Sequence, residues 1–253
     1  MKPKIKDELL RPHERIDDLQ LNGLYIIQDP SGFCFGMDAV LLSDFARPAP
    51  GAYVADLGTG TGILPLLMSA KTKNTRFEAV EINSHVADMA QRSVALNGLQ
   101  ARIRVHAMDL KDAPAKLGKS VFDYVVCNPP YRKLGSGKTS TDALQATARY
   151  ETNCTLQDVI IAASSLLQNK GRMAMICPCD RVVELFASLC AHKLQPKRVR
   201  MIHSFVDRAP KLMMIESIKS GKPFVQWMPP LVIYDQDGSC SRELNRIYGR
   251  EEA

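Results

Sequence analysis

Apolar residues fall along this chain in short blocks whose spacing alternates between strand-like and helix-like. Tyr53-Val54-Ala55-Asp56-Leu57 is a run of strand length, 58–62 a glycine-rich turn, and 63–71 an amphipathic helix. Residues 77–81 read as a second strand. Ser84 is placed to cap a helix running to about Asn97, and Gly98 to stop it. Residues 102–106 and 122–127 read as third and fourth strands. A helix over 156–167 exits through Asn169-Lys170-Gly171 into a fifth strand over 172–177, and a helix follows over 180–192. Strands alternating with helices predict an α/β fold with a parallel, doubly wound sheet. After Pro196 the pattern changes. Stretches 199–206, 211–218 and 225–234 look like strands without long helices between them, which predicts antiparallel ribbons. Upstream, 24–28 reads as a strand and 38–46 as a helix with Asp38 at or near its N-terminus, where a carboxylate suits free backbone N–H groups. Pro48 and Pro50 then separate an N-terminal extension, 1–50, from a main domain, 51–253. The outlier is 132–152, a polar, glycine-containing stretch too long for an ordinary connection and expected to face a substrate.

Composition narrows the class. At 253 residues, 45% hydrophobic and 24% charged, the chain is ordinary globular protein, which excludes a disordered tail, a collagen-like chain or a coiled coil. No apolar run approaches the roughly 20 residues needed to span a bilayer, and the basic start Met1-Lys2-Pro3-Lys4-Ile5-Lys6 has no apolar stretch behind it. Seven cysteines, an odd number in a chain this large, read as reduced thiols in the cytoplasm. Cys177 and Cys179 have no second Cys/His pair at ligand spacing, so no metal is expected. The net charge is +6. Residues 192–222 hold eight basic side chains (Lys193, Lys197, Arg198, Arg200, Arg208, Lys211, Lys219 and Lys222) against Asp207 and Glu216, so this stretch carries the whole surplus. Alone, such a cluster reads as a solvated face.

Two loops carry chemistry. In Asp56-Leu57-Gly58-Thr59-Gly60-Thr61-Gly62 the spacing is G-x-G-x-G with Ile at 63. The dinucleotide fingerprint is not met, nor is that of a phosphate-binding P-loop. A ligand without pyrophosphate fits. Glu81, 21 residues after Gly60, can accept from two ribose hydroxyls. Asp109 can accept from an adenine amino group, and Asp56 lies near an amino-acid moiety. Each acid alone reads as a cap or turn residue. Together, at successive strand ends beside Gly58, Gly60 and Gly62, they point to S-adenosylmethionine. The second loop is Asn128-Pro129-Pro130-Tyr131, directly after the fourth strand. Its prolines stiffen it and lack N–H donors. The Asn128 amide oxygen and the Pro129 carbonyl can take the two hydrogens of an exocyclic amine while Tyr131 stacks on its ring. Held so, the nitrogen lone pair becomes available to an adjacent sulfonium methyl, and the remaining task is placement.

These motifs resemble the class I, Rossmann-like S-adenosylmethionine methyltransferases whose [DNS]-P-P-[YFW] loop acts on amino nitrogens. Over nearly its full length the chain is similar to the bacterial tRNA adenine N6-methyltransferases that act on position 37 of tRNA1(Val). Residues 33–42 (FCFGMDAVLL), the glycine loop, Asn128-Pro129-Pro130-Tyr131 with Lys133-Leu134-Gly135-Ser136-Gly137, and 218–223 (IKSGKP) carry the resemblance. It implies a mostly parallel seven-stranded sheet with an antiparallel terminal strand, and an N-terminal extension packed on the cofactor end with Asp38 helping to close it. Asn128 then borders the cofactor as well as the base. The relatives' insertion ends Arg-His-Glu, where this chain has Arg149-Tyr150-Glu151. An anticodon-loop base is single-stranded and can be splayed out at modest cost. Arg132, Lys133, Lys138, Arg149, Tyr150 and Lys211 are the expected tRNA contacts, and read with this motif the 192–222 stretch becomes a tRNA surface. A monomer is expected.

The same loop chemistry also serves glutamine in release factors, adenine in DNA and guanine N2 in rRNA. Fifty N-terminal residues are too few for the helical domain of the glutamine enzymes, and no length is spare for a DNA target-recognition domain. A nicotinamide oxidoreductase lacks support without the third fingerprint glycine, and a non-catalytic RNA-binding protein would not need an intact Asn128. Phe224 and Trp227 read as core, and the methionines at 213, 214 and 228 as packing.

Overall fold

A computed structural model describes residues 9–32, 34–129 and 154–250. It begins with an antiparallel hairpin, β1 (Arg15–Asp18) and β2 (Tyr25–Gln28), followed by α1 (Met37–Phe45). The chain continues with β3 (Tyr53–Leu57), α2 (Ile63–Lys71), β4 (Arg76–Glu81), α3 (Ser84–Leu96), β5 (Ile103–Ala107), a 3-10 turn (Leu110–Asp112) leading into α4 (Ala113–Leu117), and β6 (Phe122–Cys127). Then come α5 (Leu156–Leu166), β7 (Leu167–Pro178), a 3-10 turn (Cys179–Arg181), α6 (Val182–Ala191), β8 (Leu194–His203) and β9 (Leu212–Lys219). Two short strands, β10 (Gln226–Trp227) and β11 (Leu231–Val232), and α7 (Arg242–Ile247) complete it.

The sheet order is β10-β8-β9-β7-β6-β3-β4-β5, with β11 also on β8. Strands β3 to β7 pair in parallel. Strand β9 runs antiparallel between β7 and β8, so the seven long strands match the expected sheet. The expected ribbons after Pro196 hold for β8 and β9 only, because β10 and β11 run parallel to β8 along its outer edge. From β3 the order steps outward one way to β4 and β5 and the other way to β6 and β7. That reversal opens a crevice at the C-terminal ends of β3 and β6, where an open α/β sheet binds its ligand.

Both sheet faces are covered. Ile26, Leu42, Leu66, Phe77 and Tyr124 pack with α1 to α3 on one, and Leu57, Phe122, Ile160, Leu185 and Met213 with α5 and α6 on the other. Helix α5 shows why these sequences take these forms. Its buried positions 156, 159, 160, 162, 163 and 166 follow helical spacing. Its start is a reciprocal cap: the Thr155 hydroxyl accepts from Asp158 N–H (3.1 Å) and the Asp158 carboxylate accepts from Thr155 N–H (2.8 Å), worth about 1 kcal/mol. Helix α3 is capped by Asn83, whose side chain accepts from the N–H groups of His85 and Val86, and not by Ser84. The cap sits one residue earlier because Asn83 is still extended while Ser84 already has helical geometry.

The exit expected at 169–171 is a bulge within β7. Leu167 already pairs with Phe122, pairing resumes at Arg172 opposite Tyr124, and 168–171 loop out. Gly171 is required there, since a Cβ would lie 2.9 Å from the Gln168 carbonyl oxygen and 3.1 Å from that of Phe122. The middle of the sheet is tied by a buried carboxylate. Glu216 on β9, 1% exposed, accepts from the Tyr124 hydroxyl (2.7 Å), Arg172 (2.8 Å) and Arg198 (3.1 Å). The N-terminal hairpin lies along α3, where Asn97 bonds both backbone groups of Tyr25 and the Ser93 hydroxyl accepts from Ile27 N–H.

Candidate active site

The crevice is built from the ends of four strands. Gly58 and Thr59 both donate to the Val80 carbonyl (2.9 Å each), which ties the loop after β3 to β4. Gly58, Gly60 and Gly62 take φ values of +76°, +57° and +89°, a region that side chains with a Cβ rarely adopt. At Gly58 and Gly60 a Cβ would meet nothing within 4 Å among the described residues, which leave space beside the loop. At Gly62 it would press on Ala90 of α3 at 3.4 Å.

Asp56 is fully buried near the end of β3. Among the described residues neither of its oxygens has a well-formed hydrogen bond, and nor does the Thr59 hydroxyl. Burial pushes its carboxyl up to about 7, eased by the nearby Thr59 hydroxyl and reinforced by the charge of Glu81. Buried carboxylates are normally paired, so this one awaits a donor or a cation. Glu81 accepts from Gly60 N–H (3.0 Å) and Asn83 N–H (2.9 Å), which locks the end of β4 to the glycine loop. Burial raises its carboxyl above the usual range against the pull of those backbone donors. With Ile82 N–H also drawn to it, the carboxylate still has acceptor capacity left for a further donor.

Asp109 caps the turn after β5, accepting from Lys111 N–H at 2.9 Å, with the Lys111 ammonium 3.2 Å from its other oxygen. The cap role is therefore real, and the lysine must share the carboxylate with any adenine. Asp38 lies in the first turn of α1. Because α1 leads back to the start of β3, its N-terminus sits toward the crevice end of the sheet.

Asn128 and Pro129 follow β6 and are half-buried. The preceding Cys127 thiol donates to the Leu57 carbonyl at 2.9 Å, which pins the end of β6 beside the start of the glycine loop. Burial pushes that thiol well above its ordinary value, so it stays protonated as the donor. No sequence signal announced this tie. Pro130, Tyr131, Arg132, Lys133, Lys138, Arg149 and Tyr150 lie outside the described residues. Lys211 is exposed at the start of β9, and its carbonyl accepts from Cys179 N–H at the end of β7. It therefore sits level with the crevice, two strands from β6, or about 10 Å across.

The 192–222 stretch does not form one surface. Arg198 is spent on Glu216 and the Phe45 carbonyl, and Arg200 on Glu243 and the Pro229 carbonyl. Arg208 and Lys211 stand at the crevice end, whereas Lys193, Lys197, Lys219 and Lys222 gather at the other end. Strands β8 and β9 run in opposite directions and send the two halves apart. Phe224 and Trp227 are not core. They are 87% and 59% exposed, because β10 is a two-residue edge with nothing packed outside it among the described residues.

Comparison with known proteins agrees with this geometry. The model of the methyltransferase small domain matches residues 36–181. A Porphyromonas gingivalis protein named tRNA1(Val) (adenine(37)-N6)-methyltransferase is 30% identical over 223 residues, 84% of this chain and 86% of its own. A Tolumonas auensis protein of the same name is 25% identical over 228 residues, 90% of each chain. Among solved structures, a predicted O-methyltransferase of Agrobacterium tumefaciens superposes with a TM-score of 0.68 at 22% identity, covering 86% of this chain and 98% of its own, which speaks for the fold. Matched by the family model over more than half its length, and by a relative at 30% identity over most of it, the chain belongs to the methyltransferase small domain family, among the tRNA1(Val) (adenine(37)-N6)-methyltransferases.

Proposed function

We infer that this protein transfers the methyl group of S-adenosylmethionine to N6 of an adenine in a tRNA anticodon loop, the adenine at position 37 of tRNA1(Val). The observation that carries the reading is the crevice itself. An unpartnered buried acid and a glycine loop with open space beside it meet an Asn-Pro loop at the adjoining strand end.

The cofactor fits the residues present. Asp56, with no partner among the described residues, suits its ammonium group. Gly58, Gly60 and Gly62 allow close approach, Glu81 takes ribose hydroxyls on its remaining acceptor capacity, Asp109 takes the adenine amine, and Asp38 closes the end. When bound, S-adenosylmethionine supplies a methyl group on a sulfonium sulfur. Asn128 and Pro129 orient the acceptor: each takes one hydrogen of the adenine N6 on an oxygen, which directs the nitrogen lone pair outward, and Tyr131 stacks on the base. So held by Asn128 and Pro129, N6 would be placed to accept that methyl group and to give up one of its hydrogens as a proton to water. Positioning of this kind supplies most of what such a reaction needs. Lys211 and, in the insertion, Arg132, Lys133, Lys138, Arg149 and Tyr150 hold the RNA. The reading includes a monomer working without a metal in the cytoplasm. The seven free cysteines suit a reducing compartment.

The test is incubation with S-adenosylmethionine and unmodified tRNA, followed by nucleoside mass spectrometry. New N6-methyladenosine is expected. Its absence with cofactor binding intact would shift the target to a glutamine amide or an rRNA base. Asn128→Ala should keep cofactor affinity and lose at least a hundredfold in transfer rate, a loss of the size seen when a positioned polar group is removed. Equal loss of both would remove Asn128 from the assigned role.

A further inference from the structure

The end of the sheet opposite the crevice carries a second feature. Lys219 pairs with Leu194 at the start of β8, and its ammonium bonds the Leu167 carbonyl at the start of β7 (2.6 Å). Leu167 in turn pairs with Phe122 at the start of β6. Lys219 is therefore level with the beginning of the strand that ends at Asn128, about 20 Å away at about 3.3 Å per residue. Around it gather Lys170, which bonds the Ser220 carbonyl (2.6 Å), Lys193, whose carbonyl accepts from Ser220 N–H (2.8 Å), and Lys197, which bonds the Lys222 carbonyl.

None of Lys170, Lys193, Lys197, Lys219 and Lys222 forms an ion pair among the described residues. The side chains of Lys170, Lys197 and Lys219 bond neutral carbonyls, so among the described residues the charge of the cluster is uncompensated. Partial burial and the charge of Lys193 hold the Lys219 ammonium below its ordinary pKa. After this cluster on the chain, on the outer edge strand β10, stand the exposed Phe224 and Trp227; Trp227 lies opposite Val199 of β8 and, through Ile215 and Met175, in register with Cys127, four strands or about 19 Å across the sheet from β6. Uncompensated lysines beside exposed aromatic rings are the elements of a surface for RNA, the charge holding phosphates and the rings stacking on unpaired bases.

We propose that this corner, formed by Lys193, Lys197, Lys219 and Lys222 with Phe224 and Trp227, binds the substrate tRNA at a part remote from the target base. The proposal rests on the tRNA reading given above. The lysines stand about 20 Å from Asn128 along the strands and the rings about as far across the sheet, which spreads the contact well beyond the target base and its immediate neighbours. The corner therefore engages nucleotides beyond the anticodon loop, and the enzyme distinguishes a whole tRNA from a bare stem-loop.

Trp227 is the one tryptophan in the chain, so its emission reports on the corner without any turnover. Titration with full-length tRNA should quench it, and the isolated anticodon stem-loop should not. Unchanged emission at saturating tRNA overturns the proposal, even if no N6-methyladenosine forms and the functional reading has to be revised separately. Kinetics give the second arm. Phe224→Ala/Trp227→Ala and Lys193→Ala/Lys222→Ala, all at exposed or surface positions, should raise KM for full-length tRNA at least tenfold. The kcat should stay within twofold, and so should KM for the stem-loop and the affinity for S-adenosylhomocysteine. The lysine pair should also lower the slope of log affinity against log salt by about 1.5. Equal effects on both RNAs, or none on the full-length one, would refute a remote tRNA contact. Binding of the wild type to phosphatidylserine vesicles that is lost in Phe224→Ala/Trp227→Ala, with tRNA kinetics unchanged, would overturn it in favour of a lipid surface.

Discussion

Replacing Asp56 by Asn should make the cofactor-free protein more stable, and increasingly so as the pH rises. The carboxyl titrates at about 7 in the fold because of burial, against 3.8 for an ordinary aspartate. For an acid whose folded pKa is raised, the unfolded chain gives up its proton first. Stability is therefore lost as the pH climbs from 3.8 to about 7 and is level above. At about 1.4 kcal/mol per pH unit the full loss is about 4 kcal/mol. Asparagine keeps the shape and removes the charge, but it buries an amide without partners, at a pH-independent cost of about 1–2 kcal/mol. The two proteins should thus be nearly equal at pH 5, with the variant ahead by about 2–3 kcal/mol at pH 8, or roughly 5–10 °C in Tm. Glu81 remains in both, so the difference isolates Asp56. Urea denaturation of both proteins at pH 5, 6, 7 and 8 measures it. A gap that does not change with pH, or that grows toward acid, refutes the argument. The stabilised variant should also bind S-adenosylhomocysteine poorly, the usual exchange at a site kept unstable for its ligand.

The same ionisation governs binding in the wild type. Affinity for S-adenosylhomocysteine, read by calorimetry, should fall up to tenfold from pH 7 to pH 6 as Asp56 takes up its proton, and Asp56→Asn should flatten that profile. Tyr124→Phe removes one donor from the buried Glu216 and should cost about 1–2 kcal/mol in chemical denaturation. Arg198→Met removes the more buried of its two cations and should cost about 3 kcal/mol or more. Gly171→Ala forces a Cβ against two backbone carbonyls and should lower stability by about 1–3 kcal/mol without altering cofactor affinity.

The inner strands were the most legible part of the chain. β3, α2 and β6 begin and end where the sequence places them, since each is a predominantly apolar block, with glycine directly after β3 and before α2 and the Asn-Pro-Pro loop directly after β6. β1 was invisible because Arg-Ile-Asp-Asp has no alternation, and it is a strand only because β2 lies beside it. α4, with proline in its first turn, is too short for a periodic signal, as are the two-residue β10 and β11. The site's acids were legible as a set but not in their local bonds. Nothing in the sequence shows that Glu81 holds the glycine loop or that Asp109 shares its charge with Lys111. The basic stretch misled most. Composition counts charges, while strand direction decides which end of the sheet each one reaches.

The place of β9 between β7 and β8 has a consequence for synthesis. β8 leaves the ribosome before β9 yet belongs outside it. Until residue 219 has emerged, β7 therefore has an unpaired edge, Arg172 and Arg198 have no carboxylate between them, and the Tyr124 hydroxyl lacks an acceptor 92 residues further on. An open edge of that length invites pairing with other chains, and contacts so distant along the sequence form slowly. The sheet closes in one late step, when the hairpin of β8 and β9 docks. The nascent chain just short of that point is the species that a chaperone would be expected to hold.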